Sequence, residues 1–282
     1  MSKNIDIICP LYNAESYIEN LNKSLIKQKK VKINKINYLL TESSDDSKKI
    51  LKLNKLDYKI IKKEDFSHSL TREETALKSN SDILVFITQD VVIENENWLY
   101  ELTKDIDDKE IVACYSRQIT KYNNIEKYTR ELNYPDYDII KSKDSIKELG
   151  LKTFFFSDAS SAISTKIYKE LNGYDHKNFM FNEDMYIAHK IINAGYKIKY
   201  CSKSIVYHSH NLTLKQTYNR YKDSGKFFKQ NPYMNNYGTH SSGMGLAKYI
   251  IKRAFQDKNI KVILKWLPDM IARYLGMKAG ER

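Results

Sequence analysis

No apolar run in this 282-residue chain approaches the roughly 18 residues that a membrane-spanning helix needs, so no span is expected. A signal-peptide pattern is missing too. Met1-Ser2-Lys3-Asn4 leads straight into the first apolar segment, which predicts a cytosolic or membrane-peripheral protein. Cysteine is scarce: Cys9, Cys114 and Cys201 lie far apart, without metal-type spacing and each within an apolar segment. Buried reduced thiols are therefore expected, not a disulfide frame or a zinc site. Gly-x-Gly-x-x-Gly is absent, and with it the fingerprint of dinucleotide binding. A nucleotidyltransferase would carry a Gly-rich phosphate loop after its first strand, where this chain has Pro10-Leu11-Tyr12-Asn13. No internal repeat and no RNA- or DNA-binding motif is present, which argues against a nucleic-acid-binding protein despite the basic balance.

What is present is unevenly spread. The net charge is +12, yet fourteen basic and only four acidic residues follow Thr213, so nearly all the excess sits in the last quarter. Between Leu246 and Leu275, Ile250, Ile251, Phe255, Val262, Ile263, Trp266, Leu267, Met270 and Tyr274 recur at helical spacing among lysines and arginines. Two readings stand: a basic amphipathic helix lying on an anionic membrane surface, or a helix packed on the rest of the chain or on another subunit.

The remaining pattern is that of an α/β protein. Strands are predicted at Ile5–Cys9, ended by Pro10, and at Lys35–Leu40, Tyr58–Ile61, Ile83–Thr88 and Ile111–Tyr115, with helices at Ala14–Gln28, from Lys48, at Leu70–Lys78 and after Trp98. Such alternation indicates a Rossmann-like, mostly parallel sheet. Thr120 to Gly150 reads as a helical excursion over the active face, and Phe154-Phe155-Phe156 and Ala162-Ile163-Ser164 as returns to the sheet. Met185–Ala194 reads as a helix stopped by Gly195, and Lys197–Cys201 and Ser204–His208 as two short strands. Beyond Thr213 helices are interrupted by a polar loop at Asn231–Gly245. The predicted division is residues 1–212 as the α/β domain and 213–282 as a basic helical region.

Two acidic positions stand out against this frame. Leu84-Val85-Phe86-Ile87-Thr88-Gln89-Asp90 is an apolar run without alternation, the mark of a strand buried on both faces, and it ends in a carboxylate. Ligands of such sheets bind beyond the carboxyl ends of the strands, so Asp90 is either a helix cap or a ligand for something cationic. Glu183-Asp184 precede a helix, where an acid pair is either a favourable partner of the helix dipole or a catalytic pair. His208 and His210, two residues apart at the end of the last strand, point to one face.

Taken in order, Pro10-Leu11-Tyr12-Asn13, the Ser/Asp turn at 41–47, Thr88-Gln89-Asp90 and Asn182-Glu183-Asp184 resemble the inverting family-2 glycosyltransferases with a GT-A fold. The segments Phe66-Ser67-His68-Ser69-Leu70-Thr71-Arg72, Ser116-Arg117-Gln118, Asn133-Tyr134-Pro135 and Val206-Tyr207-His208-Ser209-His210-Asn211 look like the rhamnosyltransferase branch of that family. The resemblance spans roughly residues 4–228 and implies transfer of a sugar, L-rhamnose from dTDP-L-rhamnose or a sugar from another UDP or dTDP donor, onto a glycan acceptor that can be lipid-linked. Asp184 is implied as the base with Glu183 as its support, and Asp90 with His208, or His210, as ligands of Mg²⁺ or Mn²⁺. Pro10, Tyr12, Asn13, His68, Arg72, Gln89 and Asp90 are implied on the nucleotide sugar. Thr41 or Glu42 would stand in for the Asp that usually meets the pyrimidine, and Asp45 would either join them or cap the following helix.

Overall fold

β-branched and aromatic runs favour extended chain, and the polar turns between them release helices, so the two alternate along most of the chain. A computed structural model describes residues 3–282, with all their side chains except those of 239–242. In order come β1 (Asn4–Leu11), α1 (Ile18–Ile26), β2 (Lys32–Thr41), α2 (Ser47–Leu53), β3 (Tyr58–Ile61), α3 (His68–Lys78), β4 (Ile83–Ile87), β5 (Val91–Val92) and α4 (Trp98–Thr103). There follow β6 (Ile111–Ile119), α5 (Ile125–Asn133), β7 (Ile139–Lys141), α6 (Ile146–Leu149), β8 (Ser160–Ser164), α7 (Thr165–Glu170), α8 (Glu183–Asn193) and β9 (Lys197–His208). Three helices close the chain: α9 (Leu214–Gln230), α10 (Thr239–Gln256) and α11 (Ile260–Glu281).

The strands form one mixed sheet in the order β3-β2-β1-β4-β8-β6-β9-β5, with β7 also on β9. β3, β2, β1 and β4 are mutually parallel, so Leu11, Thr41 and Ile87 finish at one edge. All five residues of β4 are buried. Leu84 and Phe86 enter the core on one face while Ile83, Val85 and Ile87 enter the core on the other, which is why the run shows no alternation. The three cysteines are buried and unpaired. No helix of the described residues is long and apolar enough to cross a membrane.

Several expected boundaries move. Pro10 does not end β1: the pairing with β4 stops at Ile8 opposite Phe86, so its missing N–H is not needed on that side, and β1 continues beside β2 to Leu11. Asn13 at φ 46° turns the chain, delaying α1 to Ile18. Phe154 lies in a 3₁₀ turn and Phe155 and Phe156 follow it outside the sheet; all three pack as core rings. Between 120 and 150 the chain holds β7 as well as α5, and the two expected last strands are one, β9, with a bulge where Ser116 and Arg117 oppose Cys201 and Ile205. The polar segment from Asn231 is a 3₁₀ turn, Pro232–Tyr237, followed directly by α10.

α9 and α11 lie unusually close. A Cβ at Gly276 would strike the carbonyl oxygen of Tyr218, and one at Gly280 that of Lys222. Gly280→Val is expected to destabilise the protein by about 1–3 kcal/mol, read as a lower urea midpoint with an unchanged slope; an unmoved midpoint would mean that this contact carries no stability. α10 and α11 also pack on α5, where Ile125, Tyr128, Ile250, Ala254 and Val262 form a small core of their own.

Candidate active site

An open cleft of about 800 Å³ lies beyond the ends of β1, β2 and β4. Its first wall comes from the turn after β1. The Gln89 side chain clamps Tyr12 as a paired strand would: its Oε1 accepts the Tyr12 N–H at 2.7 Å and its Nε2 donates to the Tyr12 carbonyl at 3.0 Å. Tyr12 is thereby fixed while the residue stays 42% exposed, with Lys63 Nζ 5.6 Å from the ring centroid. Pro10 and Thr41 line the same wall, and the Thr41 hydroxyl is buried with no partner among the described residues. An unpartnered buried hydroxyl facing a cleft is a ready contact for a ligand.

Three of the residues singled out in the sequence stand back from the cleft. Asn13 donates its N–H to Ser43 Oγ and its Oδ1 accepts the Ser44 N–H, which ties the two loops together. Asp45 accepts from the Glu15 N–H and from Ser47 and so braces the same junction. Glu42 accepts the Lys63 N–H.

The second wall carries nitrogen and oxygen donors. β5 pairs antiparallel with the end of β9, Val91 opposite His208, and this short contact delivers the preceding Asp90 to both histidines. Asp90 Oδ2 is 3.4 Å from His208 Nε2 and 3.8 Å from His210 Nδ1, and one ligand atom from each residue falls within 4.8 Å of the others. The Gln118 amide donates to Ser157 Oγ at 2.8 Å, which turns its oxygen to His208 Nδ1 at 2.8 Å. Arg130 NH2 lies 3.2 Å from the same Nδ1, and these two contacts fix the ring with Nε2 toward Asp90. Arg130 donates to the same Gln118 oxygen. Asn124 Nδ2 holds the His210 carbonyl at 2.9 Å. Burial pushes the Asp90 carboxyl up, but the hydrogen bond and charge of His208 outweigh it and hold the group below the usual carboxylate range. Burial also lowers both histidines, His210 to about 4, so both are neutral near pH 7.

The third wall is acidic. Asn182 adopts a left-handed conformation at φ 61° before α8, and Glu183 and Asp184 occupy the first turn of that helix. Arg72, implied on the nucleotide sugar, is 1% exposed: its NH1 contacts Glu183 Oε1 at 3.1 Å and donates to the His68 carbonyl at 2.8 Å. Asp158 is a buried third carboxylate, held by Tyr174 OH at 2.6 Å and Ser161 Oγ at 2.7 Å. Enclosure, then Glu183 and Asp158, push the Asp184 carboxyl well above its ordinary value. Burial raises Glu183 and Asp158 against the opposing charge of Arg72. Burial, then Arg72, lowers His68 to about 3.

Behind Asp184 the cleft meets a second chamber of about 290 Å³, enclosed by α5, α9 and α11. Glu126 and Arg130, Asp269 and Arg273, and Arg220 line it. Arg273 Nε reaches Asp269 at 2.5 Å, whereas Arg220 makes no ion pair among the described residues and faces both cavities.

Sequence reasoning missed Asp158, Gln118, Lys63 and Arg220. Asp158 reads as an ordinary turn residue before a strand, and Arg220 is one of many cations on a basic helix. Gln118 did lie in a segment noted for its resemblance, which was the one available signal.

Residues 6–172 match Glycosyl transferase family 2. Over 98% of its length the chain is 32% identical to the O-antigen chain rhamnosyltransferase WbaN of Salmonella anatum, covering 88% of that protein. It is 31% identical over the same share to the O-antigen chain rhamnosyltransferase RfbN of Salmonella typhimurium, strain LT2, covering 89% of it. Among solved structures it is similar to the mannosyltransferase PcManGT from Pyrobaculum calidifontis in complex with GDP-Man and Mn²⁺, at a TM-score of 0.65 and 12% identity, covering all of this chain and 88% of that one. It is also similar to S. aureus TarS 1–349 in complex with UDP-GlcNAc, at a TM-score of 0.56 and 13% identity, covering all of this chain and 92% of that one. These two likenesses establish the shared α/β GT-A architecture.

Proposed function

This chain belongs to glycosyl transferase family 2, and from that premise we propose that it transfers L-rhamnose from dTDP-L-rhamnose, with inversion, onto a glycan acceptor of a bacterial surface polysaccharide. The observation that carries the reading is one cleft joining a tyrosine wall, an Asp-His-His cluster and an acid of raised pKa. The O-antigen rhamnosyltransferases, similar over nearly the whole chain, supply the sugar and acceptor class.

In this reading Tyr12 and Pro10 seat the thymine and Thr41 Oγ hydrogen-bonds it. Gln89 and Asn13 act as braces of that seat. Arg220 and Lys63 face the leaving diphosphate. The acceptor hydroxyl enters from the rear chamber, whose mixed carboxylates and guanidiniums suit a polyhydroxylated ligand. Asp184 takes its proton as the oxygen attacks the anomeric carbon and the bond to the diphosphate breaks, so the configuration inverts in one step. Glu183, paired with Arg72, holds the turn that carries Asp184. Residues 1–212 thus supply the base and, apart from Arg220, the donor site, and 213–282 close the acceptor side.

Asp90, His208 and His210 would hold a divalent ion: one carboxylate and two neutral imidazoles converge there, and His208 is oriented from behind by Gln118. When bound, the ion supplies Lewis-acid charge to the diphosphate oxygens. Two imidazoles favour Mn²⁺ over Mg²⁺, which prefers oxygen ligands. Gln118→Leu is expected to weaken Mn²⁺ binding about 10–100-fold, measured by calorimetry; unchanged affinity would free His208 from the metal role.

The testing experiment offers a panel of nucleotide sugars with Mn²⁺ and follows release of the nucleotide. Turnover of dTDP-L-rhamnose, and a rise in melting temperature with dTDP and Mn²⁺, are expected. Turnover of a UDP-sugar with dTDP-L-rhamnose left intact would reassign the donor, and stabilisation by NAD alone would overturn the reading.

A further inference from the structure

α11 is amphipathic in the opposite sense from an ordinary surface helix. Ile260, Leu264, Leu267, Ile271 and Leu275 follow at steps of three and four residues, which places them on one side of the helix. All are exposed, Ile260 by 68% and Leu264 by 74%, and Tyr274 widens the stripe. The opposite side carries Val262, Asp269, Gly276 and Gly280, all buried, and Lys265, Asp269 and Arg273 line the rear chamber. Charge thus faces inward and hydrocarbon faces outward. A monomer in water rarely leaves such a stripe uncovered.

The charges around it indicate the cover. The two acids of α11, Asp269 and Glu281, are paired with Arg273 and Lys278. Lys248 and Lys252 on α10, Lys258 in the turn and Lys261 at the start of α11 are exposed and make no ion pair among the described residues. A second copy docked on the stripe would bring like charges together without an acidic counterpart. An anionic lipid surface offers hydrocarbon to the stripe and phosphates to the lysines.

We propose that the outer face of α11 lies in the headgroup region of an anionic bilayer, making this one helix the partition between the membrane and the rear chamber. An α-helix with its side chains is about 10 Å across, so an acceptor anchored in that bilayer would need to reach past a single helix to present its sugar to Asp184. This last step rests on the glycosyltransferase reading; membrane docking does not.

The test is flotation of the full chain with vesicles of phosphatidylcholine and phosphatidylglycerol, 3:1, against phosphatidylcholine alone. Wild type is expected to float with the anionic vesicles at low salt and to be released as salt screens the lysines. Leu264→Gln with Leu267→Gln and Ile271→Gln alters only exposed positions and should lose at least about tenfold in partitioning, with the dTDP-induced melting shift retained. Replacing Lys248, Lys252, Lys258 and Lys261 by Gln should cost about fivefold for each lysine that meets the surface. Equal flotation of all three proteins would overturn the proposal, as would a wild-type dimer in sedimentation that the triple variant dissociates. Flotation without any sugar transfer would leave the docking standing and remove the proposed activity instead.

Discussion

Asp184→Asn is expected to lower turnover by about 10²–10⁴-fold while dTDP affinity in the presence of Mn²⁺ stays nearly unchanged. The amide keeps the shape and the hydrogen bond that Asp184 accepts from the Met185 N–H at 2.8 Å, but it cannot take the proton. The loss should therefore appear in kcat and not in donor binding. The pH profile provides a second readout. Enclosure, then Glu183 and Asp158, raise the Asp184 carboxyl, and a base works only when deprotonated, so the rate should climb with pH along a limb lying above the usual carboxylate range. Asp158→Asn removes one of the neighbouring charges and should move that limb to lower pH. Glu183→Gln is a different experiment: it leaves the buried Arg72 guanidinium without its partner at 3.1 Å, and a stability loss of about 3–5 kcal/mol is expected from breaking such a pair. Retained turnover in Asp184→Asn would transfer the base role to another acid.

In the parallel half of the fold β2 and β3 keep exposed positions and were read from their alternation with helices, whereas β4 was legible because it is buried on both faces and so appears as an uninterrupted apolar run, Ile83 to Ile87. Phe154 to Phe156 misled for the same reason, since a buried turn and a buried strand have equal need of large apolar side chains. Polarity misled at Asn231 to Gly245, where helix α10 begins at Thr239 within a run that has the composition of a loop. In the tail, the helical period was right but the face was not. Ile250 and Val262, counted in the expected stripe, are buried against α5, and the exposed stripe runs through Ile260, Leu264 and Ile271. Period fixes which residues share a face, but only the partner decides which face turns inward. In the site, Asp90, His208 and His210 could be named from their strand ends, and their meeting depends on the pairing of Val91 with His208, which leaves no trace in either segment. That Arg72 pairs with Glu183 was not legible, because the two are 111 residues apart in the chain.

Asp90→Ala is expected to reduce turnover about 10³-fold or more and to remove the dependence of dTDP affinity on Mn²⁺. A divalent ion contributes several kcal/mol of charge stabilisation to a leaving diphosphate, and each 1.36 kcal/mol is a factor of ten in rate. Asp90 is the carboxylate of the cluster, and the imidazoles of His208 and His210 would be left as a neutral pair with their ring centroids 4.3 Å apart. Such a pair binds a hard divalent ion weakly. His210→Ala removes one nitrogen and keeps the carboxylate, so it should weaken Mn²⁺ without abolishing transfer, and higher Mn²⁺ should restore part of its rate. The contrast matters because Asp90 also lies 3.4 Å from His208 at the end of β9, so a loss of activity alone could reflect a displaced β9 terminus. Calorimetric titration of Mn²⁺ in the presence of dTDP separates the two. Loss of the metal-linked heat in Asp90→Ala, its weakening in His210→Ala, and unchanged melting temperatures for both apo proteins are the expected set. Mn²⁺-linked nucleotide binding that survives in Asp90→Ala would place the ion, if the enzyme uses one, away from the β5–β9 junction.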